Sequence, residues 1–207
     1  MNIEPEKMDV ISKGAFAPIY PLIASQIVER SSVKKGICVD VGTGPAALSI
    51  ALARITDLEI YAMDISKDMC RKAQENVYKA GLYGRIVPVR GDVAKMPFPD
   101  NFANLVVSRG SIPFWKDLTG AFKEIKRVLK PDGFGYVGGG FGSSKMKAKI
   151  KRDRERKLKS GKYKKTEIYQ NPKKINVHEV ENATKNAGIT RYSIINDDSG
   201  MWFLIRK

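Results

Sequence analysis

Two hydrophobic patterns alternate along this chain. Short, nearly continuous apolar runs, the pattern of buried strands, occupy residues 36–41, 58–64, 85–90, 104–108 and 134–140. Between them, apolar residues recur at helical spacing over residues 45–55, 66–81 and 117–129. Strands that alternate with helices in this way favour right-handed crossovers, which produce a mostly parallel sheet covered by helices on both faces.

Individual residues place these strands within the sheet. Pro88 has no N–H to donate, so its run 85–90 is predicted to lie at an edge. The unbroken apolar run 104–108 is typical of a central strand. Late in the chain a polar turn separates the apolar runs 192–195 and 201–205, which predicts an antiparallel hairpin. The predicted fold is therefore α/β: a Rossmann-like, doubly wound, seven-stranded and mostly parallel sheet with a C-terminal antiparallel hairpin strand.

Two further helices lie outside this alternation. The helix predicted over 12–31 contains Pro18 and Pro21, which must interrupt it or start it. Asn176 is a favourable N-cap for a helix that ends at Gly188.

Length and composition exclude several classes of protein. The chain has 207 residues, enough for one well-buried α/β domain. No apolar run approaches the ~20 residues of a membrane span, and the acidic start lacks a secretory signal, so a cytoplasmic protein is expected. Cys38 and Cys70 are too few for a disulfide framework or a zinc set, and both are expected to pack without binding metal.

The net charge of +15 is concentrated in one segment. Residues 145–165 contain twelve Lys or Arg and only two acids, whereas the rest of the chain has 25 basic and 20 acidic residues. Such a run is either a solvated helix and loop or a surface for a phosphate-rich partner, above all RNA. A third interpretation is an insert that covers the binding site of an anionic metabolite.

The chemistry is most visible where the first strand ends. Asp40 is followed by Gly42, Thr43 and Gly44 and then by a helical pattern, which predicts a strand, a tight turn and a helix. Glycines let the backbone approach a ligand closely, and the free N–H groups of a helix start point at it. A turn for phosphate gains nothing from the Asp40 carboxylate, whereas a turn for an ammonium or sulfonium ligand does.

Three more strands end on suitable residues at the same sheet edge. Asp64 ends the second strand, 20 residues after Gly44, the spacing at which a carboxylate meets a ribose diol. Gly91–Val93 and Ser108–Gly110 follow the third and fourth strands. The turn alone also fits a nicotinamide dinucleotide, but Asp40 and the Gly91–Val93 element favour the sulfonium ligand.

Longer motifs carry a family resemblance. Residues 96–100 read Met-Pro-Phe-Pro-Asp, and residues 124–133 read Glu-Ile-Lys-Arg-Val-Leu-Lys-Pro-Asp-Gly. Together with the strand ends, they resemble class I S-adenosylmethionine-dependent methyltransferases, nearest to the small single-domain, ubiquinone/menaquinone-type and methyltransferase 11-like group. The segments 16–21 and 108–115 resemble an archaeal and anaerobe subset of that group. The likeness covers residues 15–140 well and the remainder by topology.

The resemblance implies a cofactor site and a division of the chain. Its implied S-adenosyl-L-methionine-binding residues are Asp40, Gly42, Thr43, Gly44, Asp64, Ile65, Met69, Gly91, Asp92, Val93, Ser108 and Arg109. Asp64 would hold the ribose, Asp92 and Val93 the adenine, and Ser108 would border the transferred methyl. The single domain 1–207 would comprise an N-terminal helical lid, a cofactor-binding core, a basic insert or cap, and a C-terminal helix and hairpin, over residues 1–31, 32–140, 141–175 and 176–207.

The acceptor side is less defined. Candidate substrate contacts are Tyr20, Gly110, Phe114 and Trp115, and the weak candidates for a catalytic role are Tyr20 and Arg109. Arg109 could clamp a carboxylate or phosphate, or it could pair with Asp40 or Asp117. Each aromatic residue could equally be packing. The lone His178 is expected to be a surface or capping residue.

Two departures from the family pattern bear on these assignments. Ala46 stands at the third glycine position and is small enough to pack there. Trp115 stands where related chains often have His, which puts the usual substrate contact in doubt.

Three functions follow from these observations. The first is in-line methyl transfer to a small-molecule acceptor, the second is methylation of RNA bound through Lys145–Lys165, and the third is cofactor binding without catalysis. Neither a metal nor a membrane partner is expected.

Overall fold

The computed structural model describes residues 4–160 and 175–207. The helices in these ranges are α1 (Pro5–Lys13), α2 (Ile19–Ser31), α3 (Ala47–Ala53), α4 (Lys67–Lys79), α5 (Leu118–Val128), α6 (Ser144–Lys159) and α7 (Val177–Asn186). The strands are β1 (Lys35–Val41), β2 (Asp57–Asp64), β3 (Ile86–Arg90), β4 (Ala103–Arg109), β5 (Leu129–Gly140), β6 (Arg191–Asp197) and β7 (Gly200–Arg206). One 3-10 turn spans Ile112–Phe114.

All seven strands form one sheet in the order β3-β2-β1-β4-β5-β7-β6. The pairs among β1 to β5 are parallel, whereas β7 runs antiparallel to both β5 and β6. This confirms the predicted fold, including Pro88 on an edge strand, the central position of β4 and the terminal hairpin. Strand order reverses between β1 and β4, and open α/β sheets bind ligands beyond such a reversal.

Helices cover both faces of the sheet. On one face, α2, α3, α4 and α6 contribute to a core built around residues such as Ile23, Leu52 and Val77. On the other face, α5 and α7 pack Phe122, Ile125 and Val180 against the sheet. The alternation of apolar positions that predicted the elements therefore corresponds to two buried layers.

Two boundaries differ from the sequence prediction. The helix predicted over 12–31, which Pro18 and Pro21 had to interrupt or start, begins in the structure after Pro18: α1 ends at Lys13 and α2 begins at Ile19 with Pro18 as its N-cap residue. Strand β5 begins at Leu129, before the predicted strand 134–140, but its register with β4 shifts between Ala103 and Leu105 and is regular from Phe134. Asp132, in the irregular part of β5, has φ +61°.

The basic segment is described only in part. Helix α6 contains its first nine cations, and Lys162, Lys164 and Lys165 lie outside the described residues. No helix in the described ranges is long and apolar enough to cross a membrane.

Candidate active site

The turn after β1 is held in a strained, left-handed shape. Gly42, Gly44 and Ala46 have φ of +67°, +56° and +65°. The N–H groups of Gly42 and Thr43 both donate to the carbonyl of Met63, at 2.8 and 3.0 Å, which fixes the turn to β2. Only glycine adopts such angles without cost, so the spacing of the two glycines is dictated by the backbone. Ala46 keeps the same geometry and is fully buried, as the sequence predicted for a small residue.

Asp40 lies beneath this turn and is nearly inaccessible to solvent. Its Oδ2 atom accepts hydrogen bonds from Ser49 Oγ at 2.6 Å and Thr43 Oγ1 at 2.9 Å. Burial raises the pKa of the Asp40 carboxyl to about 6, and the two hydroxyl donors limit that rise. Ionising this buried carboxylate therefore costs free energy, and a nearby cation would stabilise its ionised form.

Asp64 joins the two strands that frame the turn. Its Oδ2 accepts the N–H of Gly44 at 2.9 Å, and its Oδ1 accepts the N–H of Ser66 at 3.0 Å. Burial raises the pKa of this carboxyl, and those backbone donors oppose the rise. Ile65, the next residue, is 63% exposed, so an apolar surface adjoins the carboxylate. A planar, partly apolar group with hydroxyls beside it matches this pair.

The end of β3 contributes two residues to the site, the closely packed Gly91 and the exposed Asp92. Gly91 donates its N–H to the carbonyl of Asp64 at 3.0 Å, and a Cβ on Gly91 would press into Met63 and Pro97. Asp92 is exposed, and its Oδ1 accepts the N–H of Ala94 at 2.9 Å.

Two further side chains belong to the predicted set. Val93 is half-buried against the apolar core, whereas Met69 in the first turn of α4 is buried. The prediction placed the adenine beside Asp92 and Val93 and the ribose at Asp64.

The loop after β4 packs directly onto the glycine turn. Ser108 is fully buried and its Oγ lies 2.5 Å from Ser111 Oγ, which donates to the carbonyl of Val41 at 3.2 Å. A Cβ on Gly42 would collide with Ser111. Ser111 thus fixes the loop against the turn, a role that sequence reasoning missed although the residue lies within the motif that begins at Ser108.

A second missed residue supports the turn from below. Asn76 of α4 donates from Nδ2 to the carbonyl of Pro45 at 2.9 Å and to Asp9 Oδ1 at 2.7 Å. The amide therefore links α1 and α4 to the turn. A buried polar residue on a predicted helix was the available signal, because buried amides are hydrogen-bonded.

The acceptor candidates lie on the neighbouring part of the edge. Tyr20 is buried, and burial raises the pKa of its phenol, so at neutral pH it is a hydrogen-bonding group and not a base. Arg109 contacts Tyr20 and forms no ion pair within the described residues, with Asp40 and Asp117 included. Gly110 has φ +79° and open space where a side chain would begin.

The two aromatic candidates have different environments. Phe114 is 39% exposed, so its ring is available to a ligand. Trp115 lies edge-on to Phe122 at 6.0 Å between ring centroids and packs against the core. His178 is exposed in the first turn of α7. Within residues 4–160 and 175–207, no three His, Cys, Asp or Glu side chains form a group that could hold a metal ion.

The fold and site define an α/β protein with a ligand cradle between β1, β2 and β4. A family model described as a methyltransferase domain matches residues 39–137. The structure of a Methanococcus maripaludis protein, assigned as an S-adenosyl-L-methionine-dependent methyltransferase, is 44% identical, with a TM-score of 0.86 over 98% of this chain and 91% of that one. This chain belongs to the family of S-adenosylmethionine-dependent methyltransferases.

Curated relatives are similar over the core alone. A sterol 24-C-methyltransferase of Aspergillus fumigatus is 31% identical over 120 residues, which are 56% of this chain and 32% of that protein. A demethylmenaquinone methyltransferase of Geobacillus kaustophilus is 33% identical over 110 residues, which are 52% of this chain and 47% of that protein. The chain thus spans a third to a half of the curated relatives that it matches.

The residues present fit the cofactor of this family. Gly44 has no atom within 4 Å of the position a Cβ would take, so ligand atoms can approach the backbone there. Asp40 offers a carboxylate for an ammonium, Asp64 offers acceptors for a diol, and Ile65 offers an apolar face for adenine. These three side chains thus suit the ammonium, the ribose and the adenine of S-adenosyl-L-methionine.

Proposed function

We propose that this protein transfers a methyl group from S-adenosyl-L-methionine to a small-molecule acceptor. The observation that carries this proposal is the bond from Gly44 N–H to Asp64 Oδ2, which joins the glycine turn to the acid after β2 at the reversal of strand order. Family membership supports the chemistry, and the relatives named for sterols and demethylmenaquinone support a small organic acceptor.

The chain's own residues bind and orient the reactants. Asp40 and the turn hold the amino-acid end of the cofactor, Asp64 holds its ribose, and Ile65 and Val93 enclose the adenine. When bound, the cofactor supplies a methyl group that its sulfonium already activates. The protein therefore needs chiefly to align the acceptor in line with the methyl and sulfur and to exclude water.

Two elements complete the acceptor side. Tyr20 at the start of α2 contacts Arg109 at the end of β4, which supports the proposal that the N-terminal helical segment serves as a lid, with Tyr20 as a hydrogen-bonding group. A base is required only if the acceptor loses a proton, and that proton then leaves to solvent or to the acceptor's own groups. A cytoplasmic location stays a prediction from the sequence.

Calorimetry tests the shared premise of all three functions. The full chain is titrated with S-adenosyl-L-methionine and, separately, with NAD. We expect saturable binding of the former and none of the latter, and a preference for NAD would refute the proposal. Binding without turnover of any small-molecule fraction would favour a non-catalytic module.

RNA remains the second candidate because of one feature of α6. Eight of its Lys and Arg side chains are exposed, with only Asp153 and Glu155 as acids on the same helix. An RNA methyltransferase would bind RNA with strong salt dependence through these cations. Neutralising Lys145, Lys149 and Lys151 would then abolish RNA binding, and unchanged affinity would eliminate this candidate.

A further inference from the structure

Arg109 ends β4 beside the loop that borders the proposed methyl position. Its guanidinium carbon lies 4.8 Å from the ring centroid of Phe16 and 5.3 Å from that of Tyr20. Nη2 donates to the carbonyl of Gly140 at 3.2 Å, and Nη1 reaches Tyr20 Oη only at 3.5 Å. Two aromatic rings and two long hydrogen bonds thus hold the guanidinium at the acceptor side of the sheet edge.

The charge of Arg109 is not neutralised by the described residues. Within residues 4–160 and 175–207, its buried Nε has no hydrogen-bond partner and no carboxylate lies within ion-pair distance of the guanidinium. Asp40, one of the two acids predicted as possible partners of Arg109, instead accepts hydrogen bonds at Oδ2 from Ser49 and Thr43. A guanidinium stays charged at any ordinary pH and has five N–H donors, so most of its hydrogen-bonding capacity here is unused.

Arg127 shows how this chain treats a structural arginine. Its Nε donates to Glu124 Oε1 at 2.6 Å and its Nη1 to Asp100 Oδ1 at 2.8 Å. Further bonds reach the carbonyls of Phe98 and Met96. Two carboxylates and two carbonyls accept hydrogen bonds from that guanidinium, whereas none of the described carboxylates pairs with Arg109. Buried polar groups normally find partners, and in the described part of the chain Arg109 Nε and Trp202 Nε1 have none. Of these two donors only the guanidinium is charged, so the one at Arg109 points to a ligand.

Two glycines lie beside Arg109 at the ends of β4 and β5. Among the described residues nothing lies within 4 Å of the Cβ position of Gly110, and a Cβ on Gly139 would lie 3.4 Å from Gly110 Cα. Neither residue has a side chain that would obstruct a ligand at this edge. Helix α6 begins four residues after Gly140 and carries the exposed cations described above. Exposed cations near a binding site raise the local concentration of anionic ligands.

We propose that Arg109 binds an oxyanion group, a carboxylate or a phosphate, on the methyl acceptor. The acceptor is thus a small organic anion, whose oxyanion takes the Nε–H and one Nη–H in the paired geometry that guanidinium offers. Phe16 and Tyr20 then sandwich the charged pair and shield it from water. This inference deepens the proposed function and rests on it.

Nuclear magnetic resonance tests the inference on the full chain. The Nε–H signal of Arg109 is assigned by its loss in Arg109→Lys, and inorganic phosphate and benzoate are titrated separately at low ionic strength. We expect a saturable shift of that signal with at least one anion. The anion that saturates at lower concentration distinguishes a phosphate group from a carboxylate.

Arg206 provides the matched control, because its guanidinium lies 4.8 Å over Phe134, far along the sheet from this edge. Its Nε–H signal should not shift, and chloride at equal ionic strength should move neither signal. Arg109→Gln should weaken anion binding by about tenfold or more, while Arg206→Gln leaves it unchanged. Equal responses of both arginines, or no saturable shift at Arg109, would overturn the inference.

The titrations are run with and without saturating S-adenosylhomocysteine, whose own binding is measured first. Loss of S-adenosylhomocysteine binding refutes the proposed function, and the anion titration of the free protein still decides the role of Arg109. Because the decisive measurement uses the parent chain, poor folding of a variant does not weaken the test.

Discussion

The two halves of the candidate site manage charge in opposite ways. Beside β1 and β2, Asp40 is buried and Asp64 is half-buried, and both carboxylates accept hydrogen bonds from their own neighbours. Beside β4, Arg109 is held by the rings of Phe16 and Tyr20 and by the carbonyl of Gly140, and none of the described carboxylates pairs with it. The first half is built before a ligand arrives, whereas the second leaves a charge for the ligand to neutralise. Under the proposed function, this difference separates the half that would bind the cofactor from the half that would bind the acceptor.

The largest expected effect is a loss of cofactor binding caused by a substitution in the half beside β1 and β2. Asp64→Ala removes the acceptors for the ribose and the tie to Gly44, and we expect about 100-fold weaker binding of S-adenosyl-L-methionine, since each hydrogen bond to a charged group contributes about 1.5–3 kcal/mol. Calorimetry measures the affinity. Asp57→Ala, at the exposed start of the same strand, should bind as the parent does. An Asp64→Ala protein of parental affinity would show that the carboxylate does not contact the cofactor.

The two glycines of the turn should respond differently to the same methyl group. Gly42→Ala collides with Ser111 and adopts an unfavourable φ, so unfolding in urea should show a loss of about 2–4 kcal/mol. Gly44→Ala meets open space, so its stability loss should stay near the 1–2 kcal/mol of backbone strain. The second variant should nevertheless lose cofactor binding, because its methyl group fills the cradle. Equal stability losses in both would contradict this account of the turn.

Acid should weaken cofactor binding through Asp40. The ammonium of the cofactor is attracted by an ionised carboxylate, and this group, with a pKa of about 6, takes up a proton below that pH. Affinity is therefore expected to fall as pH drops below about 6, approaching tenfold per pH unit. Calorimetry from pH 8 to pH 5 measures the dependence. Asp40→Asn should show weaker binding with a flatter profile, and an unchanged slope would assign the dependence to another group, Asp64 first.

The stability of the free protein should have the opposite dependence on pH. Asp40 is protonated in the folded chain below about pH 6, but in the unfolded chain only near its ordinary value of 3.8. Its contribution to the free energy of unfolding therefore rises as pH falls from about 6 to about 4. Urea unfolding of the parent minus that of Asp40→Asn isolates this contribution, and a difference that falls with acid would refute it.

The smallest expected effect is the difference in unfolding free energy between variants of the two arginines. Arg127→Met leaves Glu124 and Asp100 without their cation, and we expect a loss of about 1–2 kcal/mol, reduced from that of a fully buried pair by solvent exposure. Arg109→Met removes an unpaired buried donor, so the unfolding free energy should change by less than about 1 kcal/mol or increase. Thermal and urea unfolding measure both. A larger loss at Arg109 than at Arg127 would mean that Arg109 is structural.

The sequence predicts a structural feature well when residues close to it in the chain determine that feature. The turn at Gly42 and Gly44, the acid Asp64 and the edge strand with Pro88 were all predictable, because backbone geometry or a missing N–H sets each one within a few residues. The break at Pro18 was anticipated as a possibility, but its result, two helices, depends on packing.

The acceptor half depended on contacts that no local pattern encodes. Arg109 meets Tyr20 across 89 residues of sequence, and Ser111 reaches Val41 across 70. The absence of an acidic partner for Arg109 in the described chain could be found only once all of its neighbours were placed. Residues 161–174, which continue the basic segment, lie outside that part of the chain.

Ser111 makes the two halves parts of one mechanical unit. Its hydroxyl links Ser108 to the carbonyl of Val41, and its Cβ fills the space beside Gly42, so one side chain forms a wall common to the donor turn and the acceptor loop. Any displacement of that wall by one ligand changes the affinity for the other. Linkage requires the coupling to be reciprocal, so each reactant alters the other's binding by the same factor.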